Sequence, residues 1–161
     1  MKKLHSMILC LLIGFLLFSV PSPKVAAALE LLVSGACSFP PPNEFWTSAV
    51  PELRSDPGSI LLHVVDDGGR DEPWRIEVRL QGAPLPGEAL ISVRRTGTGQ
   101  GFGWIDGGLA FVPLGERPVI LCSGAGDRMQ IPLQVKFSGI NPSTPSGDVR
   151  SGILFTVVTQ P

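Results

Sequence analysis

Apolar and polar residues alternate one by one in parts of this 161-residue chain, and this pattern constrains its fold more than any other feature. In residues 74–80 (WRIEVRL) the apolar side chains fall on one face of an extended strand and the charged ones on the other. Residues 129–137 (MQIPLQVKF) continue the same pattern over a longer stretch. Such alternation is typical of β-strands with one face on a core and one in water.

Shorter apolar runs predict six further strands, separated by turns rich in the 19 glycines and 16 prolines of the chain. No stretch sustains the apolar spacing of a helix. About seven to eight short strands in one domain predict an all-β fold, a single antiparallel β-sandwich, with a small barrel as the alternative. The shorter predicted strands are 29–34, 59–65, 90–94, 109–112, 118–122 and 153–159.

Two of these strands carry a prediction about their place in a sheet. Pro132 has no N–H to donate, so residues 129–137 are predicted at the border of a sheet or beside a free edge at Pro132. Residues 153–159 (ILFTVVT) are almost uniformly apolar and β-branched, which is typical of a central strand.

Residues 1–28 have the three parts of a secretory signal peptide. Lys2 and Lys3 precede an apolar run over residues 7–20, and three alanines at 26–28 supply a cleavage site. That run is shorter than the roughly 20 residues of a spanning helix. We therefore expect a secreted or cell-surface protein whose mature part, residues 29–161, is the β-sandwich domain without a membrane span.

Removal of this segment takes away three lysines, which leaves ten basic residues against fourteen acidic ones. A domain of that charge lacks the basic surface that nucleic acid requires, and we expect no nucleic-acid partner.

Two cysteines, Cys37 and Cys122, remain in the predicted mature chain. Two thiols in an exported domain usually pair, so we expect a structural disulfide between them. A zinc site would need more ligands than two cysteines and one distant histidine, and no Cys-x-x-Cys motif suggests a redox role.

Catalytic motifs are missing from the sequence. His63 is the one histidine after residue 28, it lies in the apolar run 60–65, and no Gly-x-Ser-x-Gly elbow occurs. Residues 66–72 hold four carboxylates, but not with the spacing of a dedicated calcium loop, so calcium binding there stays open. We expect a non-enzymatic protein with no cofactor and no metal.

Trp46 and Trp104 lie in loops rich in proline or glycine, where exposed indoles can contact a sugar or a protein, whereas Trp74 is expected in the core. The glycine-rich stretch 97–103 is predicted to be a flexible hairpin loop, because no helix follows it to bind a phosphate.

The two ends of the mature chain resemble known proteins. Residues 146–159 (SGDVRSGILFTVVT) and residues 33–37 (VSGAC) resemble the closing strand and the early cysteine motif of bacterial fimbrial and spore-coat-U-like subunits. The resemblance implies an immunoglobulin-like sandwich that is completed by a strand from a neighbouring subunit. Leu29, Leu31 and Val33 alternate at the mature N-terminus and would form the donor face; alternatively, this segment is the first strand of its own sheet.

We therefore expect an exported, non-enzymatic bacterial surface or fibre (pilus-like) subunit that assembles by β-strand addition with other subunits, itself or related ones. The alternative is a secreted ligand-binding module, carbohydrate being the candidate ligand, with contacts at Trp46 and Trp104.

Overall fold

A computed structural model of the chain describes residues 29–37, 52–66, 72–85, 87–139 and 151–160. The predicted signal peptide 1–28, the indole of Trp46 and the middle of the 66–72 loop lie outside these residues. The described part contains no helix, and hence no helix long and apolar enough to cross a membrane.

Ten strands form the described structure. They are β1 (Leu29–Gly35), β2 (Leu53–Arg54), β3 (Ile60–Asp66), β4 (Pro73–Gly82), β5 (Leu90–Arg95), β6 (Trp104–Asp106), β7 (Val112–Pro113), β8 (Val119–Ala125), β9 (Arg128–Ser138) and β10 (Ser151–Thr159).

The strands form two sheets in which every pair is antiparallel. One sheet has the order β1-β3-β9-β5-β7, with β2 paired to the end of β9, and the other has the order β10-β4-β8-β6. The predicted all-β sandwich is confirmed. Alternation identified the long strands correctly, whereas the two- and three-residue strands β2 and β6 are too short to show a period.

The core lies between the inner faces of the two sheets. Alternate residues of β3 and β4 are buried, as their sequence patterns predict. Trp74 is fully buried, and its indole Nε1 donates a 2.9 Å hydrogen bond to the carbonyl of Gly126. The largest fully buried side chains are those of Trp74, Leu62, Ile76, Ile131, Leu133, Val64, Val78, Val93, Val135 and Cys122.

The predicted border position of the proline-containing strand is wrong, because β9 pairs with β3 on one side and with β5 on the other. The carbonyl of Pro132 accepts a bond from Thr96 N, and in a strand the N–H and C=O of one residue point the same way. The missing N–H would therefore point past Arg95, the last residue of β5. The proline is tolerated inside the sheet because its neighbour strand ends there.

The predicted central position of the last strand is also wrong. β10 pairs with β4 over its whole length and with no other described strand, so it forms an edge of its sheet. Its outward-facing Leu154 and Val158 are only half-buried. An edge position thus holds a sequence of the kind that central strands carry.

Candidate functional site

The free edge of β10 is the longest unpaired edge in the described structure. Residues 151–159 contain no charged residue and no proline, the two features by which natural edge strands are usually protected from pairing. On the inner face, Ile153, Phe155 and Val157 pack against the core but remain only partly buried. The strand is therefore apolar and accessible along one side.

β1 forms the neighbouring edge of the other sheet. Its seven residues pair with β3 from Leu29–Asp66 to Gly35–Ile60, so this segment is the first strand of its own sheet in the structure. Leu29 and Leu31 pack against the core, whereas Val33 faces the same way but is 50% exposed. The predicted donor residues thus lie on one face of β1, and Val33 lies where that face opens to solvent.

A cavity of about 380 Å³ lies between the β1 and β10 edges and opens to solvent. The side chains that line it are mostly apolar, with one hydroxyl and one thiol, and the cavity reaches inward to central strands of the larger sheet. We call this cavity the β1–β10 groove. It is lined by Val33, Gly35, Cys37, Ile60, Ile91, Val135, Ser151, Ile153 and Phe155.

The disulfide prediction is wrong for the folded chain, because Cys37 and Cys122 are both free thiols. Gly35, near Cys37, begins a cross-strand row that runs through Ile60 and Leu133 to Arg95. Cys122 belongs to β8 of the other sheet and lies near Arg95, at the far end of that row. Three strand spacings of about 4.8 Å separate Gly35 from Arg95, so the two thiols lie near opposite ends of the row.

The two thiols have different environments. Cys37 lines the groove, and partial burial raises its pKa although a hydrogen bond with Ser59 lowers it in part. Cys122 is 1% exposed, and burial raises its pKa to about 11 despite the opposing charge of Arg95. Both thiols are therefore protonated near neutral pH, and neither is activated as a nucleophile.

The glycine-rich stretch 97–103 lies flush against the turn between β8 and β9. A Cβ at Gly99, Gly101 or Gly103 would lie 2.0–2.5 Å from carbonyl oxygens of residues 125–129, so the backbone can approach this closely only without side chains there. Gln100 and Met129 exchange two 2.7 Å backbone hydrogen bonds. The loop is thus fastened along its length, in contrast to the flexible hairpin that the sequence predicts.

Between those glycines the side chains point away from the protein. Phe102 is 85% exposed and Trp104, the predicted ligand contact that the structure describes, is 48% exposed. They are two residues apart in the sequence, with Gly103 between them at a φ of +81°. Phe102 is an exposed aromatic residue that the sequence did not single out, although its place between alternating glycines could have indicated it.

The acidic loop is described only at its two ends, and His63 is described in full. Asp66 N donates to Asp127 Oδ1 at 2.6 Å, and residues 67–71 lie outside the described structure. Within the described ranges, no three His, Cys, Asp or Glu side chains are grouped closely enough to hold a metal ion. His63 is half-buried on the outer face of β3, with Nε2 3.4 Å from Ser34 Oγ.

Comparison of the chain with protein-family profiles, with curated proteins and with solved structures finds no match in any of the three.

Proposed function

We propose that the chain is an exported, non-enzymatic bacterial surface or fibre subunit that assembles by β-strand addition, with the edge of β10 and the β1–β10 groove as the acceptor. One observation carries the proposal: a nine-residue, uncharged, proline-free strand with the composition of a central strand forms a sheet edge beside an open apolar cavity.

The physical basis is the incomplete pairing of β10. An added strand would form backbone hydrogen bonds along the free edge, and its alternate side chains would fill the groove. Each apolar side chain that enters contributes about 1.5–3 kcal/mol by burial. Assembly thus supplies to the groove the apolar contacts that the isolated chain lacks.

The donor we propose is β1 of another copy or of a related subunit, because Leu29, Leu31 and Val33 present alternating apolar side chains. In the described fold β1 is paired with its own β3, so a donor β1 must first leave that edge. A terminal edge strand can do so without separating the central strands β3, β9 and β5.

The test compares two lysine variants of the purified mature protein. Val33 faces the groove at 50% exposure, and Leu32 lies on the opposite face of the same strand at 47% exposure. In the isolated chain, the stem of Lys in Val33→Lys is long enough to carry its charge to solvent. An added strand would bury that charge in the groove, so this variant should abolish oligomers. Leu32→Lys is the matched control and should assemble like the unmodified chain.

Assembly is measured as detergent-resistant, heat-labile ladders on gels and as mass in solution. Deletion of residues 29–33 should also remove the ladders. A protein that stays monomeric at high concentration and unfolds in one cooperative transition would contradict the proposal, as would equal assembly of the two lysine variants.

A second candidate, a secreted ligand-binding module for carbohydrate, is favoured by the exposed pair Phe102 and Trp104. Aromatic faces on a fastened loop can stack on sugar rings at little entropic cost. Loss of glycan binding in Phe102→Ala and Trp104→Ala would support it, with Leu109→Ala as the control, since Leu109 is an equally exposed apolar residue (62%) outside this loop. The predicted partner residue Trp46 is tested in the same way.

A further inference from the structure

Three cations converge on one aromatic ring at the outer face of the six-stranded sheet. From the ring centroid of Phe111, the guanidinium carbon of Arg94 lies 4.6 Å away, Lys136 Nζ 5.0 Å and the guanidinium carbon of Arg54 5.6 Å. The cations belong to β5, β9 and β2, and Phe111 immediately precedes β7. We call these four residues the Phe111 cluster.

The cluster holds an excess of positive charge. Glu52 is the carboxylate that contacts it in the described structure, 2.8 Å from Arg54 and 3.0 Å from Lys136. Those two hydrogen bonds lower the pKa of Glu52, which keeps it ionised. Among the described residues, three cations and one anion leave a local charge of +2, although the whole chain carries −1.

Arg94 is held in place by a neutral partner. Its Nε and Nη2 donate to Gln134 Oε1 at 3.0 and 2.8 Å, and Gln134 Nε2 donates to the carbonyl of Ser55 at 2.8 Å. Gln134 is only 6% exposed, so its buried amide fixes the orientation of the Arg94 guanidinium. The amide fixes the direction of the guanidinium but does not compensate its charge.

The ring face of Phe111 attracts each of these cations, which gives them a structural role, but one aromatic ring does not neutralise three charges. The Arg54 side chain is 52% exposed, so its charge is accessible, whereas the Lys136 side chain is 19% exposed and reaches solvent only in part. A fixed planar guanidinium with a second cation beside it is the arrangement that binds oxyanions strongly.

We propose that the Phe111 cluster binds the anionic groups of an acidic polysaccharide. Two excess charges suit a polymer with one carboxylate or sulfate in each repeat, whereas membrane surfaces and nucleic acids are bound by longer runs of basic residues. The cluster lies on the outer face of one sheet, so this site is independent of the groove between the sheets and of strand addition there.

The test measures binding of the purified mature protein to polygalacturonate, with neutral dextran and monomeric galacturonate as comparison ligands. Because the contact is ionic, binding should weaken with rising salt. Arg94→Gln combined with Lys136→Gln should weaken binding by about tenfold or more, since two charge-assisted contacts are lost. Arg79→Gln, which removes a half-buried arginine from the outer face of the other sheet, is the matched control and should not change binding.

Glu52→Gln should change the affinity for the polysaccharide in the opposite direction. It removes the carboxylate that competes with the ligand, so binding should become severalfold tighter. This variant keeps the proposal testable if the double variant folds poorly, which thermal unfolding would reveal.

Several results would overturn the proposal. These are equal binding to dextran, equal affinity for the monomer and the polymer, an unchanged affinity in Glu52→Gln, or binding to anionic lipid vesicles in place of the polysaccharide.

Discussion

The two long sides of the sandwich are built in opposite ways. On one side the sheets end in short strands, β7 with two residues and β6 with three, and Pro113 lies in β7. On the other side they end in β1 and β10, with seven and nine residues, and a cavity lies between them. The first side has the protections that prevent pairing with another chain, and the second has none of them on β10.

The closed side is also tied across the two sheets. Arg95 at the end of β5 is 4% exposed, and its guanidinium donates three hydrogen bonds of 2.8–3.0 Å to the carbonyls of Gly97 and Gly107. The Arg95 N–H donates to the carbonyl of Gly108, just after β6. Among the described residues, no buried arginine forms a comparable tie in the groove lining. The proposed strand addition depends on this difference between the two sides.

The largest effect is expected from removing this tie. Arg95→Leu leaves the carbonyls of Gly97 and Gly107 without their buried donor and should lower the free energy of unfolding by about 3–5 kcal/mol. Arg79→Leu, at a half-buried surface position, should change it by less than about 0.5 kcal/mol. Urea unfolding of both variants measures the difference, and similar losses would show that the closed side does not depend on Arg95.

Alkaline pH tests the burial of Cys122, which lies beside that tie. Its pKa is raised to about 11 in the folded chain, so the unfolded chain loses this proton first and stability falls as the pH rises from 9 to 11. The expected loss is about 2–3 kcal/mol.

The chain has no tyrosine, whose titration would overlap this range. Cys122→Ala, measured in a Cys37→Ala background, should remove most of the dependence on pH. A profile that keeps its slope in that variant would contradict the assignment.

A smaller effect is expected on the open side. Phe155→Ala should cost about 1–2 kcal/mol, because the ring is only half-buried and already faces a cavity. Leu62→Ala, at a fully buried position, should cost about 3–4 kcal/mol. Chemical denaturation compares them. Equal costs would mean that Phe155 is packed as tightly as the core, and the contrast between the two sides would then fail.

The sequence predicts where the strands lie better than it predicts which strands they pair with. Alternation in residues 74–80 and 129–137 reports which face is buried, and both strands occur where they were predicted. Alternation does not report whether a strand has one neighbour or two, so β9 and β10 were exchanged between border and centre. Pro132 was misleading because its effect depends on where β5 ends.

The sites were less predictable for the same reason. The sequence predicted a bond between Cys37 and Cys122 from their number alone, whereas three strand spacings of one sheet separate their surroundings. The Phe111 cluster joins residues from β2, β5 and β9, which are far apart in sequence, and no local pattern marks it. The exposure of Trp104 was predictable because an aromatic residue in a glycine-rich loop is a local signal.

The smallest effect we expect is a gain in stability on the closed side. Gly115 follows β7, and its carbonyl accepts a 2.8 Å hydrogen bond from Leu80 N in the other sheet. A Cβ at Gly115 would meet no atom within 4 Å, and the φ of Gly115 lies outside the left-handed region. Gly115→Ala should therefore raise the free energy of unfolding by about 0.4–1 kcal/mol by restricting the unfolded chain. Gly87 is equally open but has a φ of +60°, so Gly87→Ala is the matched control and should give no gain.

Thermal unfolding measures the stability of both variants. Because Gly115 lies outside the groove lining, the stabilised protein should assemble unchanged. Reduced assembly in Gly115→Ala would mean that the two sides are coupled, and the closed side would then be part of the assembly mechanism.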